Sequence, residues 1–295
     1  MDKAALKENR IHGSEMFPLA TYIIECSAGE KILDCHWHDE WEFLLVTAGK
    51  AVFQIETSYY ELQAGQAIFV NGGSIHAGYP CHNSFCTYRA IVFDPTILNS
   101  NSFDIIQTKF IDPFLTQQLV LPTFIDGQSA WERKVMDTLW KIIQNCADSP
   151  QAYELAVKAE LLLILAEFIK NSRFFSRDKL YLNNYKSDQM KKILCYIHEH
   201  YNEKITVREL CKLVGVSEGH FCRFFKHMMR KTPVEYINSY RINHAAQILR
   251  ESNRKIIEVA MNVGFDNLSY FHSLFKKQMK CTPAEYRKKQ AEREL

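Results

Sequence analysis

Two kinds of hydrophobic patterning divide this chain. Through residues 20–93, short apolar stretches (FLLVTAGKAVFQIET, YYELQAGQAIFV, CTYRAIVFD) are separated by Gly-bearing turns. Strand signals punctuated every ~8–12 residues predict an antiparallel sandwich or small barrel. Farther on the period lengthens. In WERKVMDTLWKIIQNCA, at 131–147, Val135, Leu139, Ile142 and Ile143 fall on one helical stripe. AYELAVKAELLLILAEFIK, at 152–170, is apolar on more than one face and asks for partners beyond a single sheet. Its apolar run LLLILAEFI is too short to span a bilayer. NSRFFSRDKLYLNNYKS, at 171–187, is polar enough for a linker.

The last third contains a repeat. FCRFFKHMMRKTPVEY at 221–236 returns as FHSLFKKQMKCTPAEY at 271–286. Such a repeat marks one supersecondary unit used twice. Before the first copy, Thr206 and Glu209 have capping-box spacing, Leu210, Cys211 and Leu213 supply an apolar face, and Gly215 stands where a helix would stop. Ser217 is placed to cap a second helix that runs to about Met229. A short helix, a Gly turn and a capped second helix form a helix-turn-helix. In the second copy Glu258, Val259, Ala260 and Val263 form the first helix, Gly264-Phe265 the turn, and Asn267 the cap; Lys255 stands where Thr206 stood, so the capping box there is incomplete. Ile242, Ala245, Ala246 and Leu249 predict one long helix, from about Pro233 to Arg250, joining the two units. Phe221, Phe225, Phe271 and Phe275 are expected in the core. Two recognition helices held about one DNA turn (~34 Å) apart can enter successive major grooves of double-stranded DNA.

Charge supports that partner. Residues 187–295 carry 20 Lys/Arg against 12 Asp/Glu, a net of +8, and the remaining 16 and 22 leave residues 1–186 at −6. A basic third on an acidic body suits a polyanion. The nine Cys are scattered without a C-x-x-C pair, and no signal peptide precedes them, so a reduced cytoplasmic protein is expected.

The phrases VGVSEGHFCRFFK, SYRINHAAQIL and IIEVAMNVGFDNLSYFHSLFKKQMKCTPAEYR closely resemble the AraC/XylS family of transcription regulators, over roughly residues 190–290. The resemblance implies base reading from Gly219, Cys222 and Arg223 in the first recognition helix, and from Leu268, Ser269, His272 and Ser273 in the second. Arg223 is the strong reader, able to give a guanine two hydrogen bonds. Lys226, Lys276 and Lys277 are placed for phosphates. The resemblance also implies a homodimer through the helices at 131–170, RNA polymerase as a further partner, and a barrel that senses a small molecule, often a carbohydrate.

In HWHDEWEFLLVTAG, His36, His38 and Glu42 lie on one side of a continuous strand, and His76 follows in GQAIFVNGGSIHAG. This spacing resembles the two cupin motifs, in which three His and one Glu converge and can hold a divalent metal. Asn71 departs from the motif's Pro, and no Asn follows His76 at the expected place. Three readings of the four residues stay open: an effector pocket without metal, a metal site, and hydrogen bonding within the barrel. Trp37 and Trp41 point away from the four and are expected to pack under a helix. RIHGSEMFPLATY resembles an arm that closes over the pocket, with His12 and Phe17 as contributors, or else is an edge strand. Tyr22, Phe53 and Tyr60 are candidate stacking surfaces for a sugar ring or, alternatively, core residues.

The expected chain is α+β and multidomain. Residues 1–125 form the arm and a cupin-like antiparallel β-barrel that binds the effector. Residues 126–172 form a helical dimerisation segment, 173–187 a linker, and 188–295 an all-α domain with two helix-turn-helix units. The function read is a sequence-specific, effector-controlled transcription regulator, with no catalysis, cofactor or membrane partner. The alternative is a metal-dependent cupin enzyme, an isomerase or dioxygenase, fused to a DNA reader.

Overall fold

The computed structural model describes residues 7–82, 84–100, 104–171, 173–176 and 181–291. They fall into two compact units that divide between Ser187 and Asp188.

The first unit is built on strands β1 (Leu19–Cys26), β2 (Leu33–His36), β3 (Trp41–Ile55), β4 (Ser58–Gln63), β5 (Ala67–Val70), β6 (His76–Pro80) and β7 (Cys86–Phe93). A short helix α1 (Asp112–Leu115), strands β8 (Leu119–Val120) and β9 (Phe124–Ile125), helices α2 (Ala130–Asp148) and α3 (Tyr153–Lys170), and strand β10 (Phe175–Ser176) follow. The 15-residue β3 belongs to both halves of the sheet. Trp41–Val46 pairs with β7, and Glu42–Leu45 pairs with β5 on the other side; Lys50–Ile55 pairs with β4, and Ala51–Ile55 with β6. Between these halves the ladder slips at Val46/Ala48, and Gly49 takes φ +73°. A Cβ at Gly49 would lie 2.0 Å from Phe85 O, so the bend needs glycine. The predicted barrel is corrected here: the eight-stranded sheet runs β1-β7-β3-β5-β9, with β2, β4 and β6 branching from it, and does not close. The bend in β3 curls the sheet over its own core without joining its edges.

Alternation along β3 sorts two cores. Trp41, Phe43 and Leu45 point to α2 and α3, and pack with Val135, Leu139, Ile142, Leu161, Ile164 and Phe168. Leu44, Val46 and Phe53 point into the fold with Ile68, Val70, Tyr88 and Val92. Trp41 thus lies under a helix as expected. Trp37 instead has the Lys7 ammonium 5.0 Å above its ring. The helix α3 is two-faced: Val157, Leu161, Ile164, Leu165 and Phe168 are buried, while Leu155 and Leu163 are 71% and 60% exposed. Within the stretch read as a linker, Phe174 meets Phe114 edge-on, Phe175–Ser176 pairs with Leu119–Val120, and a helix begins at Tyr181.

The division falls inside α4 (Tyr181–His200), and the second unit takes α4 from Asp188 onward with α5 (Val207–Val214), α6 (Glu218–Met229), α7 (Pro233–Glu251), α8 (Ile256–Asn262), α9 (Leu268–Met279) and α10 (Pro283–Ala291). The repeated Thr-Pro-x-Glu-Tyr phrase now has a physical cause. Thr232 N donates to Glu235 Oε2 (2.8 Å) while Glu235 N donates to Thr232 Oγ1 (3.2 Å), and Thr282 with Glu285 repeats this at 2.8 and 3.3 Å. Pro fills the first helical position, where no N–H is needed. Thr206 and Glu209 close the predicted capping box, and Gly215 caps α5 at φ +67°. Asn267 Oδ1 accepts from Tyr270 N at 2.9 Å. At α8 the box is half made, with Lys255 N donating to Glu258, since an ammonium cannot accept in return. Two expectations fail locally. Ser217 flanks α6 without a side-chain capping bond, and Leu213 is 46% exposed while Val214 takes the core position. Phe221, Phe225, Phe271 and Phe275 are fully buried.

Candidate functional site

The recognition helices α6 and α9 each bury one face and bare the other. Burying Phe221 and Phe225 turns Gly219, Arg223 and Lys226 to solvent, with Cys222 half-buried at the edge. Burying Phe271 and Phe275 likewise leaves Leu268, Ser269, Ser273, Lys276 and Lys277 exposed, with His272 half-buried. Every residue singled out for base or phosphate contact is therefore on an accessible or partly accessible helix face. Tyr270, unremarked in the sequence, is 48% exposed beside them, and its hydroxyl accepts from Asn238 Nδ2 at 3.1 Å.

In the first unit, His36, His38, Glu42 and His76 converge, but not from one continuous strand. The chain leaves β2 after His36, bends through 37–40 and enters β3 at Trp41. Gly73 N donates to His38 O at 2.7 Å and pins that bend. His36 faces His76 across the β2–β6 pairing, with ring centroids 4.1 Å apart. Glu42 Oε2 lies 3.4 Å from His38 Nε2 and 3.1 Å from His76 Nε2. His38, His76 and Glu42 are 2%, 1% and 5% exposed. Burial pushes the Glu42 carboxyl up, but the His38 and His76 rings outweigh it and bring it down to about 2. Burial and the neighbouring His36 lower His76 below its ordinary value, so this ring favours its neutral form.

The N-terminal segment lies over this cluster. His12 is buried, its Nδ1 2.9 Å from the Tyr22 hydroxyl and its ring centroid 5.8 Å from that of His38. Glu8 was missed by sequence reasoning, because it lies two residues before the segment, 10–22, that was expected to close over the pocket. Its Oε2 lies 3.6 Å from His12 Nε2 and 3.4 Å from His36 Nε2, and these rings hold its carboxyl well below the usual range. Phe17 packs instead toward α3, 5.6 Å from the Tyr153 ring.

The open space lies next to the cluster. A cleft of ≈ 380 Å³ is lined by Glu56, Ser58, Tyr60, Asn71, Ser74 and Gln117, with Trp41, Phe114, Phe124 and Phe175 among its apolar walls. The three candidate stacking residues do not meet. Tyr22 binds His12, Phe53 is fully buried, and Tyr60 lines the cleft stacked on Phe124, centroids 6.1 Å apart.

Known proteins carry the same pair of units. Residues 18–165 match the model of the AraC-like ligand binding domain, and residues 210–289 that of a helix-turn-helix domain. An uncharacterized HTH-type transcriptional regulator of Bacillus subtilis, YdeC, is 31% identical over 96% of each chain. The chain belongs to the AraC family of transcription regulators. Similarity to the Escherichia coli regulator YdiP, also uncharacterized, is 25% over 86% of this chain and 80% of that one. The melibiose operon regulatory protein of Escherichia coli is 29% identical across 34% of this chain and 33% of its own. As an AraC-family member the protein is a DNA-binding transcription regulator with a ligand-binding domain. Among its described residues no helix is long and apolar enough to cross a membrane.

Proposed function

We propose that this AraC-family protein is a cytoplasmic regulator whose effector is a small, hydroxyl-rich, sugar-like molecule bound in the cleft beside β4. The composition of that cleft carries the reading. Glu56, Ser58, Asn71, Ser74 and Gln117 offer hydrogen-bonding groups beside the stacked Tyr60 and Phe124 rings. A hydroxyl-rich ring matches polar groups at its edge and an aromatic surface at its face, whereas a hydrocarbon would leave the polar groups unsatisfied. The closed histidine cluster shares a wall with the cleft through Ser74, whose carbonyl accepts from His76 Nδ1 at 2.9 Å. Ligand seated there bears on β6 and the cluster together.

Homodimerisation is proposed through the outer stripe of α3. Leu155, Ala159, Leu163 and Ala166 recur at helical spacing, and all are exposed. Base reading is assigned to Arg223 and its helix-face neighbours, with the effector shifting how two chains present their readers.

A thermal-shift screen of monosaccharides and sugar phosphates tests the effector site on the full chain. At a hundred times its dissociation constant a ligand stabilises by ~2.7 kcal/mol. That shift is expected to vanish in Tyr60→Ala and Asn71→Ala and to persist in His36→Ala. The reverse pattern would move the site into the histidine cluster, and no response to any sugar would remove the sugar reading.

A further inference from the structure

The cleft beside β4 is charged on one side only. Of its lining residues Glu56 alone carries a charge, and among the described residues no Lys, Arg or His lines it. An anionic ligand would enter this cleft without a counter-charge and beside a carboxylate. Burying a charge in that way is disfavoured unless it is paired. A cation meets the opposite situation. Tyr60 and Phe124 stack in the wall, and Phe114 and Phe175 add further rings. The face of an aromatic ring is the negative part of its quadrupole and attracts a cation.

Glu56 is also held in an unusual backbone conformation. It opens the two-residue turn, Glu56-Thr57, between β3 and β4, where Ile55 pairs with Ser58. Such turns favour Gly, Asn or Asp at positive φ, yet Glu56 sits at φ +54°. Ile75 secures it twice: Glu56 N donates to Ile75 O at 2.8 Å, and Glu56 Oε1 accepts from Ile75 N at 3.0 Å. The buried Gln54 donates from Nε2 to Glu56 O at 2.9 Å. Gln117, on the same cleft, is likewise left-handed, at φ +56°. Strain of this kind persists where the surrounding structure imposes it, and it gathers at ligand clamps. A glycine at 56 would relieve the turn and would also remove the carboxylate.

We infer that the cleft selects a positively charged, hydroxyl-rich ligand, an amino sugar, whose ammonium pairs with the Glu56 carboxylate. The inference rests on the sugar-like reading of the cleft and narrows it. Phosphorylated and acidic sugars are rejected, and neutral sugars bind more weakly. The bond from Ile75 N fixes the carboxylate in place and takes one of its ~four acceptor positions. An ammonium supplies donors to match, and hydrogen bonds between ionised partners are the strong ones. Ser58, Asn71 and Gln117 serve the ring hydroxyls.

The experiment measures dissociation constants on the full chain by calorimetry. Its probes are glucosamine, galactosamine and mannosamine, the matching neutral hexoses, and the 6-phosphates of those hexoses. At least one hexosamine should bind ~10-fold or more tighter than its neutral counterpart, as a hydrogen bond to a charged group allows. No 6-phosphate should bind. Glu56→Gln keeps an acceptor for Ile75 N and removes the charge. It should bring the hexosamine to the affinity of the neutral sugar and leave the neutral sugar unchanged. If that variant fails to fold, the wild-type comparison decides the charge preference by itself. Neutral hexoses binding as tightly as hexosamines, or 6-phosphates binding at all, would overturn the charge selection and leave the sugar reading standing. Equal loss of both ligands in a folded Glu56→Gln would overturn the pairing role of Glu56. No binding by any member of the panel would overturn both readings.

Discussion

The Phe225 ring meets Tyr236 edge to face, with centroids 5.7 Å apart at 71°. Phe275 and Tyr286 repeat the contact at 5.6 Å and 81°. Each pair locks the end of a recognition helix to the start of the helix that follows it, so the exposed reading face is held from behind. Phe225→Ala and Phe275→Ala should each cost ~3–5 kcal/mol of stability in the second unit, as truncating a buried aromatic does. Urea unfolding followed by helix content checks this. A cost below 1 kcal/mol would mean that the contact is incidental.

Arg223 and Lys226 share the bare side of α6, but their chemistry predicts different losses. Arg223→Ala should cost ~1–3 kcal/mol on the specific site and relax the preference at one base pair. Lys226→Ala should weaken binding to all sequences and flatten the dependence on salt. Equal losses on specific and random DNA in both variants would refute the division of roles.

On α3 the two leucine faces separate assembly from folding. Leu155→Glu with Leu163→Glu should give folded monomers by sedimentation, because both side chains are exposed. Leu165→Glu should instead destabilise the first unit, since Leu165 is 4% exposed within the core beneath the sheet. A double variant that remains dimeric would place the dimer interface elsewhere.

Gly49 is required by geometry rather than by packing volume. Gly49→Ala would force a Cβ to within 2.0 Å of the Phe85 carbonyl at φ +73°. The expected penalty is ~1–3 kcal/mol, read as a lower melting temperature of the first unit with the second unchanged.

Three capping glutamates give the second unit a defined acid response. Hydrogen bonds from the backbone N–H groups of Thr206, Thr232 and Thr282 lower the carboxyls of Glu209, Glu235 and Glu285 below their ordinary value of 4.5. A depressed folded-state pKa contributes stability that is complete above the unfolded value and is lost as pH falls through the folded one. Thermal unfolding should therefore be insensitive to these groups at neutral pH and weaken below about 4.5. The triple Glu→Gln variant keeps the capping geometry and should lose that part of the acid dependence. An unchanged acid dependence would show that other groups set it.

Much of this protein was determined by local sequence. The caps of α5, α7 and α9, the buried Phe pairs and the joining helix follow from short-range chemistry: a Thr three residues before a Glu, a Pro at the first turn, apolar residues at helical spacing. They were legible because each depends on neighbours within one or two turns, and the repeat states them twice. The even numbering of His36, His38 and Glu42 also picked out side chains that lie close together, although it placed them on a strand that the chain interrupts. Only tertiary structure decided the rest. The sheet does not close, and β3 bends at Gly49 and pairs with different strands on either side of the bend, partners that mostly lie far apart in sequence. Of the leucines on α3, the sheet covers 161 and 165 and leaves 155 and 163 bare, a choice that the all-round apolar pattern could not make. Glu8 reaches His36 and His12 because the N-terminal segment folds back along the 37–39 bend, a contact between elements that no local pattern encodes.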